Sequence, residues 1–349
     1  MDVVKVGLKI DGVDNLTTLF RLFETNDYHF TTKNYMGDDI LINSLTDFGE
    51  KSLEKEIVKY FSNELTQEDI KNADLIFASS TFNSSYLGDF IGNIALGKRT
   101  DMFALERVNY NYLASKIYNN LGGEGYCFSV TSGCNSVFDA LFLAKSLLET
   151  GVSQKVIILG VDEYSGRPSL HGHWRMGLHT KEKVFPFSNK NKFIPVDAFS
   201  YMVVEKRNEK DVKFSIDKIK TFNRKKLKDE DYVKMVTSHF NLSRIDYINS
   251  KALGISGIDN TDKMLSDVTK VQITSLKGVF GHAISSSIVL QMLWSYWAKQ
   301  KGVIPMTIVN EHTNVDNLVK ENIEKKGVSH VLVTSSGLGG SLGVLELVL

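Results

Sequence analysis

Short apolar runs of strand length alternate along the whole chain with longer segments of helical periodicity. In the first half, strand-like runs lie at residues 1–10, 74–80, 126–130 and 155–160. Helical periodicity occupies residues 50–63, 105–121 (followed by Gly122 and Gly123) and 135–150. This alternation predicts an α/β fold with mainly parallel sheets.

The second half repeats the same rhythm. Strand-like runs lie at residues 247–249, 271–274, 330–334 and 344–348, and a long apolar helix is predicted at about 283–299. In each half a strand leads through a tight polar turn into a buried helix, and the turn carries Cys134 in one half and His282 in the other. The pattern predicts a duplicated core, with an N-terminal half at 1–205 and a C-terminal half at 206–349.

Composition excludes several classes of protein. Lys+Arg and Asp+Glu both number 41 in 349 residues, so the chain lacks the basic excess of a nucleic-acid binder. Two cysteines can form at most one disulfide, too few to stabilise a disulfide-rich secreted domain, which favours a reducing compartment. No apolar run approaches the roughly 20 residues that a membrane helix needs. We therefore expect a cytoplasmic protein with no membrane span.

Cys134 is the first candidate for chemistry. It stands directly before the helix predicted at 135–150. Free N–H groups and the positive end of the helix dipole favour a thiolate, so a nucleophile of lowered pKa is expected there. A buried cysteine that only packs is the alternative. For Cys127, inside an apolar strand, packing is the favoured interpretation.

The segment from Cys134 to Glu163 resembles the nucleophile segment of the β-ketoacyl synthases, the ketosynthases of the thiolase superfamily. Four further segments resemble motifs of that family in the same order: residues 185–188 (RPFD), 193–205 (FVxGEGAGVLVLE, with Asp197 at the Glu position), 274–282 (STKSxxGH) and 336–341 (FGFGGTN). The resemblance covers roughly residues 70–349, and residues 1–70 depart from the family.

The resemblance implies a thiolase-like fold, with duplicated α/β halves stacked as five layers (α-β-α-β-α). It implies a dimer formed through the edge strand near the nucleophile, either with a ketosynthase partner or with an identical chain. It implies no metal, nucleotide or flavin. The only prosthetic group involved would be the phosphopantetheine arm of an acyl carrier protein, and that group belongs to the partner.

The resemblance also assigns roles to residues. Cys134 would be the nucleophile, and His282 would be the second of two histidines that hydrogen-bond the thioester oxygen. The N–H groups of Cys134 and Leu338 would form an oxyanion hole, with Leu338 and Gly339 at the family's gate. Lys277 would be the structural lysine of the motif, paired with an acidic neighbour such as Asp262.

The first histidine of the family is missing. Asp259 and Asp262 fall on acidic positions of that motif and fix its register, which puts Lys251 at the histidine position. Losing one donor of this kind typically costs about 10²–10³ in rate. Lys251 could still donate a hydrogen bond to the substrate, or it could have no catalytic role, the histidine having been replaced once it was no longer needed for catalysis.

Three functions stay open at this point. The chain could be a chain-length-factor-like partner of an active ketosynthase in type II polyketide or fatty acid synthesis. It could be a self-sufficient β-ketoacyl synthase or acyltransferase that uses Cys134. It could also be a carrier-protein-binding protein without covalent chemistry. The basic run at 224–228 could dock an acidic carrier protein. His171 and His173 could bind a metal from one strand face, which is a weak signal.

Overall fold

The computed structural model describes residues 1–45, 54–82, 84–164, 167–207, 211–223, 228–311, 313 and 315–349. The strands are β1 Asp2–Lys9, β2 Thr31–Tyr35, β3 Asp38–Ile42, β4 Asp74–Ala78, β5 Cys127–Val130, β6 Lys155–Asp162, β7 Ala198–Glu205, β8 Phe214–Asn223, β9 Tyr247–Asn249, β10 Ile273–Thr274, β11 Val303–Ile304, β12 Ile323–Glu324, β13 His330–Ser336 and β14 Ser341–Val348. The helices are α1 Leu16–Thr25, α2 Glu54–Glu64, α3 Gln67–Ile70, α4 Ser84–Ala95, α5 Ala104–Val108, α6 Tyr110–Asn120, α7 Ser136–Glu149, α8 Arg167–Arg175, α9 Asp229–His239, α10 Ser256–Thr269, α11 Lys277–Phe280 and α12 Ser287–Lys301.

Ten strands form one hydrogen-bonded sheet in the order β10-β9-β13-β14-β8-β1-β7-β6-β4-β5. In the first half of the sheet, β1 and β6 are antiparallel to β7, while β4 is parallel to both β6 and β5. In the second half, β8 and β13 are antiparallel to β14, while β9 is parallel to both β13 and β10. The two halves therefore have the same topology, as the repeated sequence rhythm predicted. The expectation of mainly parallel sheets was wrong, because five of the nine neighbouring pairs in the described sheet are antiparallel.

The halves join through a short antiparallel contact between β1 and β8, where Asp2 pairs with Ser215 and Val3 with Phe214. The Ser215 hydroxyl donates a 2.6 Å hydrogen bond to the buried Asp2 carboxylate. The N-terminal strand thus lies at the centre of the sheet. Residues 1–70, although they lack the family's motifs, supply this central strand.

Alternating side chains along the strands enter different cores, as expected for strands covered on both faces. In β4, Ile76 enters the central core together with α7 and α12, and Phe77 enters an outer core with α2 and α6. In β13, Val333 enters the same central core, and Leu332 enters the opposite outer core with α9 and α10. Helices α7 and α12 therefore form the middle of five layers, which confirms the predicted architecture.

Some predicted boundaries were wrong. The helix expected at 105–121 is two helices, α5 and α6, because Asn109 adopts an extended backbone between them and its side chain accepts a 2.9 Å hydrogen bond from the Asn111 N–H. The helix predicted at 50–63 begins at Glu54 in the described residues, and positions 50–53 lie outside them. Within the described ranges, no helix is both long and apolar enough to cross a membrane.

Candidate active site

A tight turn between β5 and α7 presents Cys134. Gly133 has φ of +67°, a left-handed conformation that glycine adopts without a steric penalty. The Ser136 hydroxyl accepts a 2.9 Å hydrogen bond from the Ser132 N–H and lies 2.7 Å from the Gly133 carbonyl, to which it can donate. These bonds fix the turn, so the cysteine is held at the entrance to the central helix layer.

A turn of the other half meets this one. The Ser335 hydroxyl donates a 2.6 Å hydrogen bond to the buried Asn135 side-chain oxygen. The backbone N–H groups of Leu338 and of Cys134 itself are both directed at the Cys134 sulfur. The structure therefore brings together the two N–H groups that the resemblance assigned to an oxyanion hole. Gly339, the other predicted gate residue, lines the cavity in front of them.

His282 follows α11 in the second half. Gly281 before it has φ of +66°, and a Cβ there would lie 2.7 Å from the Ile194 carbonyl oxygen, so the position requires glycine. The Nδ1 atom of His282 shares a 3.0 Å hydrogen bond with the Ser287 hydroxyl. Burial and the nearby Lys277 ammonium hold the pKa of His282 well below its usual value, so the imidazole is neutral near neutral pH.

Cys134 and His282 face one cavity. Its empty volume is about 570 Å³, a figure that includes open solvent at its mouth. Residues from both halves form its wall: Ser80, Thr81, Gly133, Cys134, His173, Phe193, Leu253, Ile255, Ile258, His282, Ile284, Ser336, Leu338 and Gly339.

Lys251, at the position of the missing histidine, is not part of that wall. Its side chain is 1% exposed, and its Nζ lies 3.4 Å from Asp262 Oδ1 and 5.4 Å from the centre of the Tyr232 ring. Its ammonium thus belongs to a buried ion pair inside the second half. The prediction that Lys251 could donate to a substrate is corrected, because a fully desolvated ammonium stays with its carboxylate.

Lys277 also differs from expectation. Its Nζ donates a 2.9 Å hydrogen bond to the Lys251 carbonyl oxygen, so it holds the backbone of that loop. Burial lowers the pKa of Lys277 to about 8. The expected pairing of Lys277 with Asp262 is replaced by the pairing of Asp262 with Lys251.

Asp259 shapes the cavity wall from behind. Its buried carboxylate accepts hydrogen bonds from the N–H groups of Leu253 at 2.9 Å, Gly254 at 2.9 Å and Phe187 at 2.7 Å. Burial raises its pKa to about 6, and these hydrogen bonds oppose the rise. The structure therefore places Asp259 where the motif register put it, beside the site and holding the loop that carries Leu253.

Asp162, at the end of β6, lies in the segment that resembles the family's nucleophile segment, where the resemblance gave it no role. Its buried carboxylate accepts from the backbone N–H groups of Ser80 at 2.8 Å, Thr81 at 3.1 Å and Ser285 at 2.8 Å, and also from the Ser285 hydroxyl. Burial raises its pKa to about 6. A single acidic residue after a buried strand is too common a pattern to reveal this link between halves.

The Cys134 thiol is less acidic than its position before a helix suggested. Burial and the Asp162 carboxylate raise its pKa to about 11, while Lys277 and the two N–H groups oppose the rise. The expectation of a lowered pKa is therefore wrong. The thiol faces an apolar cavity, and desolvation of the thiolate outweighs the favourable dipoles.

His173 was seen in the sequence only as half of a weak metal pair with His171. Both residues lie on helix α8 and not on a strand. Residues two positions apart on a helix point to different faces. His173 lines the cavity and stacks on Tyr164, with ring centres 5.1 Å apart. Among the residues described, no group of three or more His, Cys, Asp or Glu side chains is arranged to hold a metal ion.

The basic run expected to dock a carrier protein falls mostly outside the described residues. Positions 224–227 are not described, and Lys228 is the N-cap residue of α9.

Solved structures of similar fold identify the architecture. The ishigamide ketosynthase/chain length factor matches with a TM-score of 0.83 and 16% identity, covering 99% of this chain and 98% of that one. The ketosynthase ApeO in complex with its chain length factor ApeC, from Xenorhabdus doucetiae, matches with a TM-score of 0.82 and 12% identity, covering 100% and 97%. This chain has the fold of a ketosynthase.

A third match to the ketosynthase fold is AntDE:AntF, described as a type II PKS acyl-carrier protein in complex with its ketosynthase bound to the hexaketide. It has a TM-score of 0.83 and 13% identity, and the match covers 99% of this chain and 98% of that one. By sequence, no protein-family model and no curated protein matches the chain. The likeness in structure spans the whole chain, including residues 1–70, where the motif resemblance was absent.

We predict that Cys134 stays protonated at neutral pH. The ultraviolet absorbance of the thiolate, titrated for the wild type and for Cys134→Ser, gives the Cys134 contribution as the difference, since Cys127 is common to both. Because burial and the Asp162 charge disfavour the thiolate, the difference should show no step below about pH 9. A step below about pH 8 would contradict the desolvated thiol.

We predict that Lys251→Met lowers the free energy of unfolding by about 3 kcal/mol, because the Asp262 carboxylate would remain buried without its cation. Chemical denaturation measures the change. Lys234→Met, on the exposed side of α9, is the matched control and should shift it by less than about 0.5 kcal/mol. Equal, small effects of the two substitutions would show that the Lys251–Asp262 ion pair does not stabilise the fold.

Proposed function

We propose that this chain is a ketosynthase-like subunit that accepts an acyl group from a carrier protein onto Cys134. The observation that carries the proposal is the cavity in which the Cys134 sulfur, the Leu338 N–H directed at it and the neutral His282 imidazole meet. Backbone N–H groups that converge near a nucleophile stabilise the oxyanion formed when that nucleophile attacks a carbonyl.

The reaction is a thioester exchange. The Cys134 sulfur attacks the carbonyl carbon of the acyl thioester, and a new carbon–sulfur bond forms. The bond from that carbon to the phosphopantetheine sulfur breaks, and the proton lost by the Cys134 thiol ends on the released phosphopantetheine thiol. No oxidant, reductant or metal is needed. The residues lining the cavity fit this chemistry, since most of the wall is apolar and suits an acyl chain.

Decarboxylation of a malonyl thioester is the step for which the site is less well equipped. The position that carries the first histidine in ketosynthase motifs carries Lys251, whose ammonium is committed to Asp262 behind the cavity wall. We propose that a second subunit with both histidines performs the decarboxylation. This division of labour favours a heterodimer over a self-sufficient enzyme.

Acylation of Cys134 is tested by intact-protein mass spectrometry after mixing the purified chain with acyl-loaded carrier protein. We expect a mass gain equal to one acyl group on the wild type and on Cys127→Ser, because Cys127 lies in β5 outside the cavity wall. Cys134→Ser should show no gain that is labile to hydroxylamine. No gain on the wild type, alone and with a partner ketosynthase, would contradict acyl transfer.

A chain-length-factor-like role is the second candidate, in which the chain shapes a complex and the partner alone is acylated. The specific observation that favours it is Lys251 in place of a catalytic donor. In the mass experiment with both subunits, acylation of the partner alone would support this candidate over the first.

Both candidate functions require a partner subunit. The open edge of strand β5 is the favoured place for that partner to bind. Among the described residues β5 pairs only with β4, so its other edge is open beside Cys134. Open edges are sites for pairing with another chain. Large apolar side chains are also exposed in the segment before β5, on and after α4 and around α5: Ile91, Ile94, Leu96, Met102, Phe103 and Leu105. Exposed apolar residues in such number indicate an interaction surface.

We predict that Tyr126→Lys, directly before β5, weakens binding to the ketosynthase-like partner about tenfold or more, because it puts a charge into an apolar interface. Tyr126 is 66% exposed, so the isolated chain should keep its stability. Val268→Lys, on α10 and 61% exposed, is the matched control and should leave affinity unchanged. Sedimentation of the mixed subunits measures both. Equal affinities for the two variants would exclude the β5 edge as the interface.

A further inference from the structure

A second imidazole reaches the cavity from helix α8. We propose that His173 is the base that takes the Cys134 thiol proton during acyl transfer. This inference rests on the proposed function for its substrate, but the coupling between the two side chains can be measured without any acyl donor. No motif singled out this role, because the family's first histidine belongs to the loop that here carries Lys251.

The orientation of the His173 ring is fixed by its own helix. Its Nδ1 lies 2.9 Å from the Ser169 carbonyl oxygen. A carbonyl oxygen only accepts, so Nδ1 carries the proton and Nε2 of the neutral ring has a lone pair. Burial holds the pKa of His173 below its usual value, so this lone pair is available near neutral pH.

Aromatic neighbours hold the same ring at the cavity. It stacks on Tyr164 at 5.1 Å and meets Phe193 edge-on at 5.7 Å. Tyr164 and Phe193 belong to the same apolar cluster that packs against Cys134, and the Cys134 charge contributes to the raised pKa of Tyr164. The histidine and the thiol therefore face one cavity across shared neighbours.

The two imidazoles of the cavity differ in what they can do. Nδ1 of His282 bonds a serine hydroxyl, which can donate, so Nε2 of His282 can carry a proton and act as a hydrogen-bond donor. His173 bonds a carbonyl and is held as a proton acceptor. Phe193 lies edge-on to both rings, with centres 5.7 Å from His173 and 5.5 Å from His282.

The proposed proton path balances. Nε2 of His173 takes the thiol proton as the Cys134 sulfur forms its bond to the carbonyl carbon, and the resulting imidazolium gives that proton to the departing phosphopantetheine sulfur. The base is needed because the Cys134 thiol is not ionised at neutral pH in its desolvated position. The titratable groups around the His173 ring are Tyr164, His179, His282 and Cys134.

The test is the pH profile of Cys134 alkylation by iodoacetamide, read by peptide mass spectrometry. We expect a wild-type profile that is flat near neutral pH, where His173 takes the proton, and that rises at high pH, where thiolate forms. His173→Gln and His173→Asn should lose the flat part of the profile near neutral pH, where the rate of Cys134 alkylation should be about 10²-fold lower. His171→Gln, exposed on the same helix, is the matched control and should keep the wild-type profile.

The two variants distinguish loss of the base from loss of folding. Asn places an amide near the Nδ1 position and can keep the bond to the Ser169 carbonyl, while Gln places an amide near Nε2. A purely structural role would lower the free energy of unfolding and leave the shape of the profile unchanged. Profiles of both variants that superimpose on the wild type would overturn the inference.

The outcomes separate the inference from the proposed function. Loss of the flat part of the profile in the variants, with no acylation of the wild type by acyl-carrier protein, would support His173 as the base and reject acyl transfer. Wild-type acylation that His173→Gln leaves at the same rate would support acyl transfer and reject the inference.

Discussion

The buried carboxylate of Asp162 is the interaction on which the site depends. It stands at the end of β6 and binds the backbone after β4 through Ser80 and Thr81, and it binds Ser285 from the other half of the molecule. Ser285 follows Ile284, whose φ of 44° is unusual for a β-branched residue and which lines the cavity. One carboxylate thus holds the backbone of both halves, and after burial its charge is the next largest cause of the raised pKa of the Cys134 thiol.

The sequence predicted the parts of this protein that follow from local pattern. Strand and helix periodicity predicted an α/β fold with a duplicated core, and the motif resemblance implied its five layers and the roles of Cys134 and His282. It could not predict the direction of Lys251, because a lysine at a histidine position can face either the cavity or the core. The buried carboxylate of Asp262 decides that direction, and this depends on packing across the second half.

His173 and Asp162 show a second limit. The sequence assigned neither residue a catalytic or structural role. His173 reaches the cavity from helix α8, and Asp162 at the end of β6 bonds the backbone of both halves, so both roles depend on the tertiary fold. The acidity of Cys134 was predicted with the wrong sign for the same reason. A position before a helix favours the thiolate, but desolvation of the thiol and the Asp162 charge outweigh that effect and raise the pKa of Cys134.

We propose that the chain carries the site for acyl transfer but lacks one of the two hydrogen-bond donors for decarboxylation. The most direct test measures the carbon dioxide released from isotope-labelled malonyl-carrier protein by the acylated chain without a partner. We expect release at the background rate of the carrier protein alone, because Lys251 is held behind the cavity wall by Asp262. Release in proportion to the amount of chain would contradict the account, since it would require a second donor working in the cavity.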